Sequence, residues 1–277
     1  MNHRRTTGFF GPDEHEGDMR EHPTFSPSHG HVLLVASAPM EAAAVGAAFE
    51  RAGPGADWER MDMAPGWSLV RSGVGKVNAG VCVARCLGAD GKLGTLVLNV
   101  GVCGALPRAG GVMLANGTVV VGSASVYADE GVQTPTEYQD MGAMGFAYWP
   151  GASAGRAAGG GCAAIEADGE LVERARCVLA GAIGEGVVVG RIATVSTCSG
   201  TDALAGEIAR RTGGIAEAME GAAIGHTLAR LRGAQRGFLE VRVVSNTTGD
   251  RGTQVWDLRG ALAMLTRATA ALRGAPE

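Results

Sequence analysis

The sequence predicts an α/β fold in which a largely parallel sheet carries helices on both faces. A short, continuously apolar run at 31–37 is typical of a strand that is covered on both sides, and 238–244 indicates a second buried strand. Between such runs, apolar residues recur at helical spacing, as Ile224, Leu228 and Leu231 do. Strand and helix signals that alternate along the chain in this way indicate parallel strands joined by helical crossovers.

Length and composition favour one large domain. The chain has 277 residues, of which 46% are hydrophobic and 19% are charged, and this suits one large globular α/β domain, or at most two. Residues 1–29 are polar, rich in proline, histidine and acids, and show no periodicity. We therefore expect a disordered tail at 1–29 and one domain at 30–277. A glycine-rich stretch at 151–163 predicts a flexible connection inside that domain.

The individual elements follow from apolar runs, helical stripes and turn residues. Pro39 occupies a favoured first-turn position and predicts a helix directly after the first strand. A polar and aromatic segment at 123–138 has no helical stripe and predicts a loop of the kind that carries specificity. The predicted strands lie at 31–37, at 67–72, from 94 onward, at 112–121, at 187–195 and at 238–244. Six helices are predicted. The first begins at Pro39, the second ends near 87 and the third spans about 170–182. The fourth follows 201, the fifth contains 224–231 and the sixth spans about 257–272.

The turn at 73–78 comes close to two phosphate-binding motifs and matches neither. A P-loop requires Ser or Thr after its lysine, but Val77 follows Lys76 and the glycine spacing also fails. A dinucleotide-binding turn requires a third glycine where Asn78 stands. The stretch therefore predicts a plain glycine-rich turn from strand to helix, and no cofactor is expected.

Composition argues against several classes of partner. The net charge of −4 favours neither nucleic acid nor an anionic membrane surface. The first residues lack an apolar signal region, and no run of about 18 apolar residues occurs, so we expect a cytoplasmic protein without membrane contact. Only His226 lies beyond residue 31, so no metal site is expected. The six cysteines lack C-x-x-C spacing and mostly interrupt apolar runs, as buried thiols in a reducing compartment do.

Polar residues occur where three predicted strands meet the elements that follow them. Glu41 lies in the first turn of the first helix, Glu220 lies where an apolar segment becomes a helix, and Ser245–Asn246 follow a buried strand. Ligands of open α/β sheets bind at the carboxyl ends of strands, so these residues are candidates for one site. Structural alternatives stay open: Glu41 and Glu220 would serve as first-turn helix acids, and Asn246 as a turn former.

Two glycines follow Asn99 in another apolar strand. Gly101 and Gly104 would let the backbone approach a ligand closely and leave N–H groups free to point at it. The alternative is a sharp turn with glycine at positive φ.

Taken together, the ordered motifs resemble the nucleoside phosphorylase and methylthioadenosine nucleosidase superfamily from about residue 31 to the end. The motifs are 72–76, 99–104, 219–221 and 245–246. The resemblance implies a three-layer αβα sandwich with a twisted, mostly parallel mixed central sheet, a homo-oligomer, and a small nucleoside as the bound partner. Within the superfamily the chain looks most like the futalosine hydrolase family, through 38–41, 126–131, 134–135, 217–223, 245–246 and 249–251.

The resemblance also implies roles for residues. Glu220 matches the ribose-binding glutamate, and its charge favours the cation that develops on the sugar. Met219 would pack on the sugar face, Trp256 would cover the base, and Glu41 is the candidate general base for the attacking water. The remaining candidate substrate-binding positions are Val102, Cys103, Gly104, Ser199 and Ser245. No cofactor or metal is implied.

Asn246 is where the chain departs from the adenine-cleaving nucleosidases, which carry Asp to protonate the base. An amide cannot act as a general acid, but it donates to N7 and adjusts to a carbonyl oxygen. A 6-oxopurine offers two acceptors at this edge and a 6-aminopurine does not, so Asn246 favours hypoxanthine as the leaving base. The function implied is hydrolysis of futalosine, which belongs to an alternative route of menaquinone biosynthesis.

Three further functions stay open. A purine nucleoside phosphorylase would need a phosphate cradle, and Glu41 stands where one would lie and would repel phosphate. A methylthioadenosine or S-adenosylhomocysteine nucleosidase is the second alternative, and a non-enzymatic nucleoside-binding protein is the third. The roles of five further residues stay open. Asp250 and Arg251 would belong either to the site or to a solvated surface pair. The candidates for contact with the far end of the substrate, or for support of their own loop, are Tyr127, Thr136 and Tyr138.

Overall fold

The structure is a computed structural model that describes residues 30–88, 95–148, 162–232 and 237–274. The tail predicted at 1–29 lies outside the described residues, and so does 151–161 of the predicted flexible connection. The boundary predicted at residue 30 between the tail and a single domain stays a prediction.

The described residues form strands and helices that alternate through most of the chain. The strands are β1 (His31–Ala36), β2 (Arg60–Ala64), β3 (Trp67–Arg71), β4 (Thr95–Ala105), β5 (Val119–Tyr127), β6 (Gly131–Gln133), β7 (Tyr138–Asp140), β8 (Ala164–Glu166), β9 (Val187–Thr194), β10 (Gly214–Ala218) and β11 (Phe238–Thr247). The helices are α1 (Pro39–Ala47), α2 (Lys76–Leu87), α3 (Gly169–Ile183), α4 (Asp202–Thr212), α5 (Gly221–Arg232) and α6 (Leu258–Arg273), with a short 3-10 turn at Ala109–Gly111.

Nine strands form one mixed sheet in the order β10-β9-β5-β11-β4-β1-β3-β2, with β8 paired to β5. Strands β3, β1, β4 and β11 run parallel to one another, and β5, β9 and β10 form a second parallel set. The two sets meet antiparallel, at β11–β5 and again where β10 joins the end of β4. The second junction brings the carboxyl ends of both sets together. The fold prediction of a mostly parallel mixed sheet is confirmed.

Helices cover both faces of the sheet, which explains why the strands read as continuous apolar runs. In β1, Val32 and Leu34 pack into the cluster with α1, α3 and α6, while Leu33 and Val35 pack on the other face with α2 and α5. All four side chains are at most 1% exposed. The three-layer αβα arrangement follows from this alternation. None of the helices in the described ranges is both long and apolar enough to cross a membrane.

The strand predicted at 112–121 was misplaced, because β5 spans Val119–Tyr127. Val112 is 57% exposed, and the chain turns at Gly117 before it enters the sheet. The prediction treated 112–121 as one strand across Asn116–Gly117, although this pair is a typical turn signal and separates the apolar residues before it from the strand. Part of the predicted 123–138 loop is therefore strand, and β6 and β7 form a small separate hairpin.

The sharp turn that stood as the alternative interpretation of Gly101 and Gly104 does not occur. Strand β4 continues to Ala105, and neither Gly101 nor Gly104 has a positive φ. Both glycines lie in extended backbone, so they are not needed for a turn. Likewise, β11 continues through Asn246 to Thr247 instead of stopping before Ser245.

Candidate active site

A cavity of about 340 Å³ opens where the carboxyl ends of β1, β4, β10 and β11 converge. This volume is within the range of small-molecule sites. All ten predicted site residues line this cavity, namely Glu41, Val102, Cys103, Gly104, Ser199, Met219, Glu220, Ser245, Asn246 and Trp256. Their sequence positions span more than two hundred residues, and the sheet topology brings them together.

Glu41 lies in the first turn of α1 and also lines the cavity. Its Oε2 accepts the backbone N–H groups of Ser37 at 3.1 Å and Ala38 at 2.9 Å, which fixes the start of the helix. Its Oε1 accepts the N–H of Val102 at 2.8 Å. Burial raises the pKa of the Glu41 carboxyl above its ordinary value, against the opposing charge of Arg242. The structural and the site interpretations of Glu41 therefore apply together.

Ser37 adds a hydroxyl beside that carboxyl. The residue is 3% exposed and lines the cavity. Within the described part of the chain, its Oγ has no hydrogen-bond partner. A buried hydroxyl without a partner is costly, so this group is available to a bound molecule.

Glu220 directly precedes α5, yet its carboxylate does not cap that helix. Its backbone carbonyl accepts the N–H of Ile224, whereas its Oε1 accepts the N–H of Gly75 at 3.0 Å. Its Oε2 accepts from Arg242 Nη2 at 3.0 Å and from the N–H of Met219 at 3.3 Å. The glycine-rich turn that resembled a phosphate loop therefore holds a carboxylate. The interpretation of Glu220 as a helix-start acid does not fit this geometry.

Arg242 is the centre of a buried charge cluster under the cavity floor. It is 1% exposed, and its Nε donates to Glu240 Oε1 at 2.9 Å. In the pairing of β11 with β4, Arg242 lies opposite Gly101. A Cβ atom added at Gly101 would lie 2.6 Å from Arg242 Nη1. Glu240 in turn accepts from Asn99 Nδ2 at 3.1 Å and from Ser125 Oγ. Gly101 is therefore required to make room for the guanidinium.

Sequence reasoning missed both Arg242 and Glu240, although a signal was present. The two charged residues interrupt an otherwise apolar strand at positions i and i+2, which places them on one face of β11. A charged pair inside a doubly covered strand must be compensated internally. That rule would have singled out this pair and predicted further acids near it.

A bulge in β11 turns two consecutive side chains toward the cavity. The register between β11 and β4 shifts at Ser245, so Ser245 and Asn246 both line the cavity instead of alternating across the sheet. The single O–H of Ser245 has two acceptors in reach, Asn246 Oδ1 at 2.9 Å and Cys103 O at 3.2 Å. Asn246 Nδ2 donates to Thr247 O at 2.9 Å, and its second N–H points at no described acceptor.

Neutral and aromatic groups complete the walls. Burial raises the pKa of the Cys103 thiol to about 12, so this thiol is neutral and behaves as a small apolar group. Trp256 is 48% exposed and forms an isolated bridge to Asn246. Its Nε1 donates to Gln254 Oε1 at 3.2 Å, and the guanidinium of Arg251 lies 5.1 Å from its ring centroid.

Other candidates from the sequence have different surroundings. Arg251 lines the cavity, but Asp250 accepts the N–H of Asp202 in the neighbouring turn. The cavity is not lined by Tyr127, Thr136 or Tyr138. Tyr127 stacks on a second tyrosine, Thr136 belongs to the exposed hairpin turn, and Tyr138 lies under a guanidinium. Among the residues described here, no His, Cys, Asp and Glu side chains cluster as metal ligands.

Comparisons with known proteins agree with this fold and place the chain in a family. Residues 65–274 match the model of the Phosphorylase superfamily, and the chain belongs to that superfamily. The futalosine hydrolase of Streptomyces coelicolor is 31% identical over 254 residues, which cover 87% of this chain and 94% of that protein. The futalosine hydrolase of Acidothermus cellulolyticus is 36% identical over 182 residues, which span 65% of each chain. The resemblance read from the motifs is confirmed.

Solved structures share the fold at lower identity. The 5'-methylthioadenosine/S-adenosylhomocysteine nucleosidase of Neisseria meningitidis, in complex with methylthio-immucillin-A, aligns with a TM-score of 0.66 and 23% identity over 88% of this chain and 99% of that chain. The corresponding nucleosidase of Colwellia psychrerythraea, in complex with adenine, aligns with a TM-score of 0.59 and 20% identity. The alignment covers 90% of this chain and 98% of that chain.

Proposed function

We propose that this chain is an N-ribosyl hydrolase that cleaves futalosine into hypoxanthine and dehypoxanthine futalosine, in the alternative route of menaquinone biosynthesis. The observation that carries the proposal is that Glu41, Glu220 and the neutral amide of Asn246 all line one cavity. The similarity to the futalosine hydrolases of two organisms supports the choice of substrate.

Glu220 would hold the ribose. An ionised carboxylate accepts from two adjacent hydroxyls through charge-assisted hydrogen bonds. As the bond between C1' and N9 breaks, positive charge develops on the sugar, and the nearby carboxylate stabilises it. Arg242 and Gly75 fix the Glu220 carboxylate in place, so little reorganisation is needed at the moment of reaction.

Glu41 would accept a proton from the attacking water. The water oxygen forms the new bond to C1', one water proton passes to the Glu41 carboxylate, and the electron pair of the broken bond goes to the purine. The free hydroxyl of Ser37 lies beside Glu41 and offers the same water a second hydrogen bond. A raised pKa suits this role, because it makes Glu41 a stronger base than an exposed carboxylate.

Asn246 would stabilise the departing purine. Its spare N–H donates to N7, where negative charge accumulates as the base leaves. A 6-oxopurine is the more acidic base and leaves without a general acid, which matches an amide at this position.

Water fits the nucleophile position better than phosphate does. Three buried carboxyl groups, on Glu41, Glu220 and Glu240, surround the one guanidinium of Arg242. Their charge disfavours a phosphate dianion, which binds to helix N-termini and unpaired cations.

The test is to incubate the purified chain with futalosine, inosine and methylthioadenosine, each with and without phosphate, and to identify the released base by chromatography. We expect hypoxanthine from futalosine at a rate that phosphate does not change. Release that depends on phosphate would indicate a phosphorylase. Faster release of adenine from methylthioadenosine would contradict the argument from Asn246.

A carboxylate variant separates turnover from binding in the same assay. Glu220→Ala should reduce hydrolysis by at least about 100-fold, because a preorganised charge at the reacting centre is lost. The matched control is Glu185→Gln in an exposed turn away from the cavity, which should leave the rate unchanged. Tight nucleoside binding without turnover, in both the unaltered chain and Glu220→Ala, would indicate a binding protein instead.

A further inference from the structure

Lys76 belongs to the glycine-rich turn at 73–76, and the mechanism above gives it no role. The residue begins α2, where a cation faces the positive end of the helix dipole. The first turn of α2 contains no acid that would compensate this charge. The side chain of Lys76 is nevertheless only 11% exposed. A lysine that is buried in an unfavourable position must be held by specific partners.

Two acids that follow β5 are those partners. Lys76 Nζ donates to Asp129 Oδ1 and lies 3.4 Å from Glu130 Oε1. It also lies 5.3 Å from the centroid of the Tyr127 ring, within the range of a cation–π contact. Because the ammonium is largely shielded from water, its attraction to the acids is stronger than that of an exposed pair. The first residue of α2 is thereby anchored to the end of β5.

Asp129 also holds a segment of the cavity wall. Its Oδ2 accepts the backbone N–H groups of Ser196 and Thr197, in the turn that follows β9. That turn continues into Cys198 and Ser199, which line the cavity. One carboxylate therefore connects the start of α2 to a second part of the cavity.

Packing does not fix Gly75, the residue before Lys76. Gly75 has a φ of 96°, and no described atom lies within 4 Å of the point that a Cβ would occupy there. On its other side, Val74 is 48% exposed and lines the cavity. The N–H of Gly75 donates to Glu220 Oε1 at 3.0 Å. The direction of this N–H therefore depends on the anchored neighbour, Lys76.

We propose that Lys76 is a positioning residue, which holds the Gly75 N–H on Glu220 and thereby fixes the orientation of that carboxylate. This inference rests on the proposed function, which assigns the ribose to Glu220. Arg242 holds Oε2 of the same carboxylate, and the Gly75 N–H supplies the second point that sets its plane. A carboxylate that is fixed before the reaction stabilises the developing cation without reorganisation.

The first experiment follows the amide proton of Gly75 by NMR in the full chain. In the unaltered protein, Glu220→Ala should move this signal upfield, because the hydrogen bond to the carboxylate is lost. In a chain that already carries Lys76→Met, the same substitution should move it much less. An equal movement in both backgrounds would show that Lys76 does not hold the Gly75 N–H, and the inference would be overturned.

Kinetics then measure the effect on the reaction. Lys76→Met should lower kcat/KM for futalosine by roughly 10- to 100-fold, since displacement of a reacting group by about 1 Å has an effect of this size. Lys76→Arg keeps the cation and should recover most of the rate. The matched control is Arg191→Met, which removes a guanidinium from its pair with Glu166 away from the cavity and should leave the rate unchanged.

The double variant separates positioning from a structural role. If Lys76 acts through Glu220, Lys76→Met should lower kcat/KM by less than about twofold in a chain that already carries Glu220→Ala. Equal losses in both backgrounds would mean that Lys76 only supports the fold, and the inference would fail. If the unaltered chain cleaves no nucleoside, the proposed function fails, and the Gly75 signal still decides whether Lys76 positions Glu220.

Discussion

At the residue scale, Glu41 performs two tasks with one carboxyl group. It caps the first turn of α1 and it points into the cavity beside an unpartnered hydroxyl. The three backbone N–H groups that contact it hold the side chain in one orientation. A base that is fixed in this way needs no rearrangement before it accepts a proton.

The raised pKa of Glu41 gives a pH prediction. The base must be ionised, so kcat/KM, which reports the free enzyme, should fall as the pH drops through a value above the ordinary range of a glutamate. Glu41→Gln should lower kcat by about 100- to 10,000-fold and remove this acidic limb. The measurement is a pH–rate profile of both proteins with futalosine. If Glu41→Gln keeps the acidic limb at full amplitude, the titrating base is another group.

At the element scale, β11 carries both the charge cluster and the two polar residues Ser245 and Asn246 that line the cavity. Glu240 and Arg242 occupy one face, and the bulge at Ser245 then turns Ser245 and Asn246 into the cavity together. A regular strand would have sent one of these two side chains to the opposite face. The bulge is therefore what allows a serine to orient the amide beside it.

Removal of the arginine from this strand should destabilise the whole cluster. Arg242→Met leaves the carboxyl groups of Glu41, Glu220 and Glu240 buried without a counter-charge, at a cost of about 3–5 kcal/mol in the free energy of unfolding. Burial already raises the pKa values of Glu41 and Glu240 while Arg242 opposes the shift, so loss of the cation raises these two pKa values further in the folded state. Protonation then favours folding, so the deficit should shrink as the pH falls.

Chemical denaturation at neutral and acidic pH tests this prediction. The matched control is Arg210→Met, which removes a guanidinium from an exposed pair with Glu207 and should cost at most about 1 kcal/mol. A deficit for Arg242→Met that does not depend on pH would show that the carboxyl groups are not its source.

At the scale of the whole molecule, the two strand sets create the site. Strand β10 joins the end of β4 antiparallel, and this junction brings Ser199 and Glu217 to a cavity that β1, β4 and β11 already border. The cavity lies among elements from both ends of the described chain. The homo-oligomer expected from the resemblance stays a prediction.

A ligand in this cavity should therefore stabilise the global fold. Hypoxanthine at 100 times its Kd should raise the free energy of unfolding by about 2.7 kcal/mol, provided that it binds only the folded chain. Thermal unfolding with increasing hypoxanthine measures the effect, and uracil serves as the control ligand. A midpoint that hypoxanthine does not move would contradict binding to the folded protein.

Much of this arrangement could be predicted from the sequence, because some signals depend only on local order. The apolar runs gave the strands of a doubly covered sheet, and Pro39 gave the start of α1. The rule that ligands bind at strand ends placed Glu41, Glu220 and Asn246 at one site before any geometry was known. The short strand β10 escaped notice, because Gly214, Glu217 and the alanines of that segment carry no apolar period.

The sequence by itself determined the fold class, the superfamily and ten residues of the cavity, because these follow from periodicity and from ordered motifs. Only the tertiary structure decided why Gly101 is glycine and which cation stabilises the buried acids. The physical reason is that the charge environment of a buried group depends on neighbours across the sheet. Arg242 and Glu41 are two hundred residues apart in the chain, yet 3.9 Å separates their side chains in the fold.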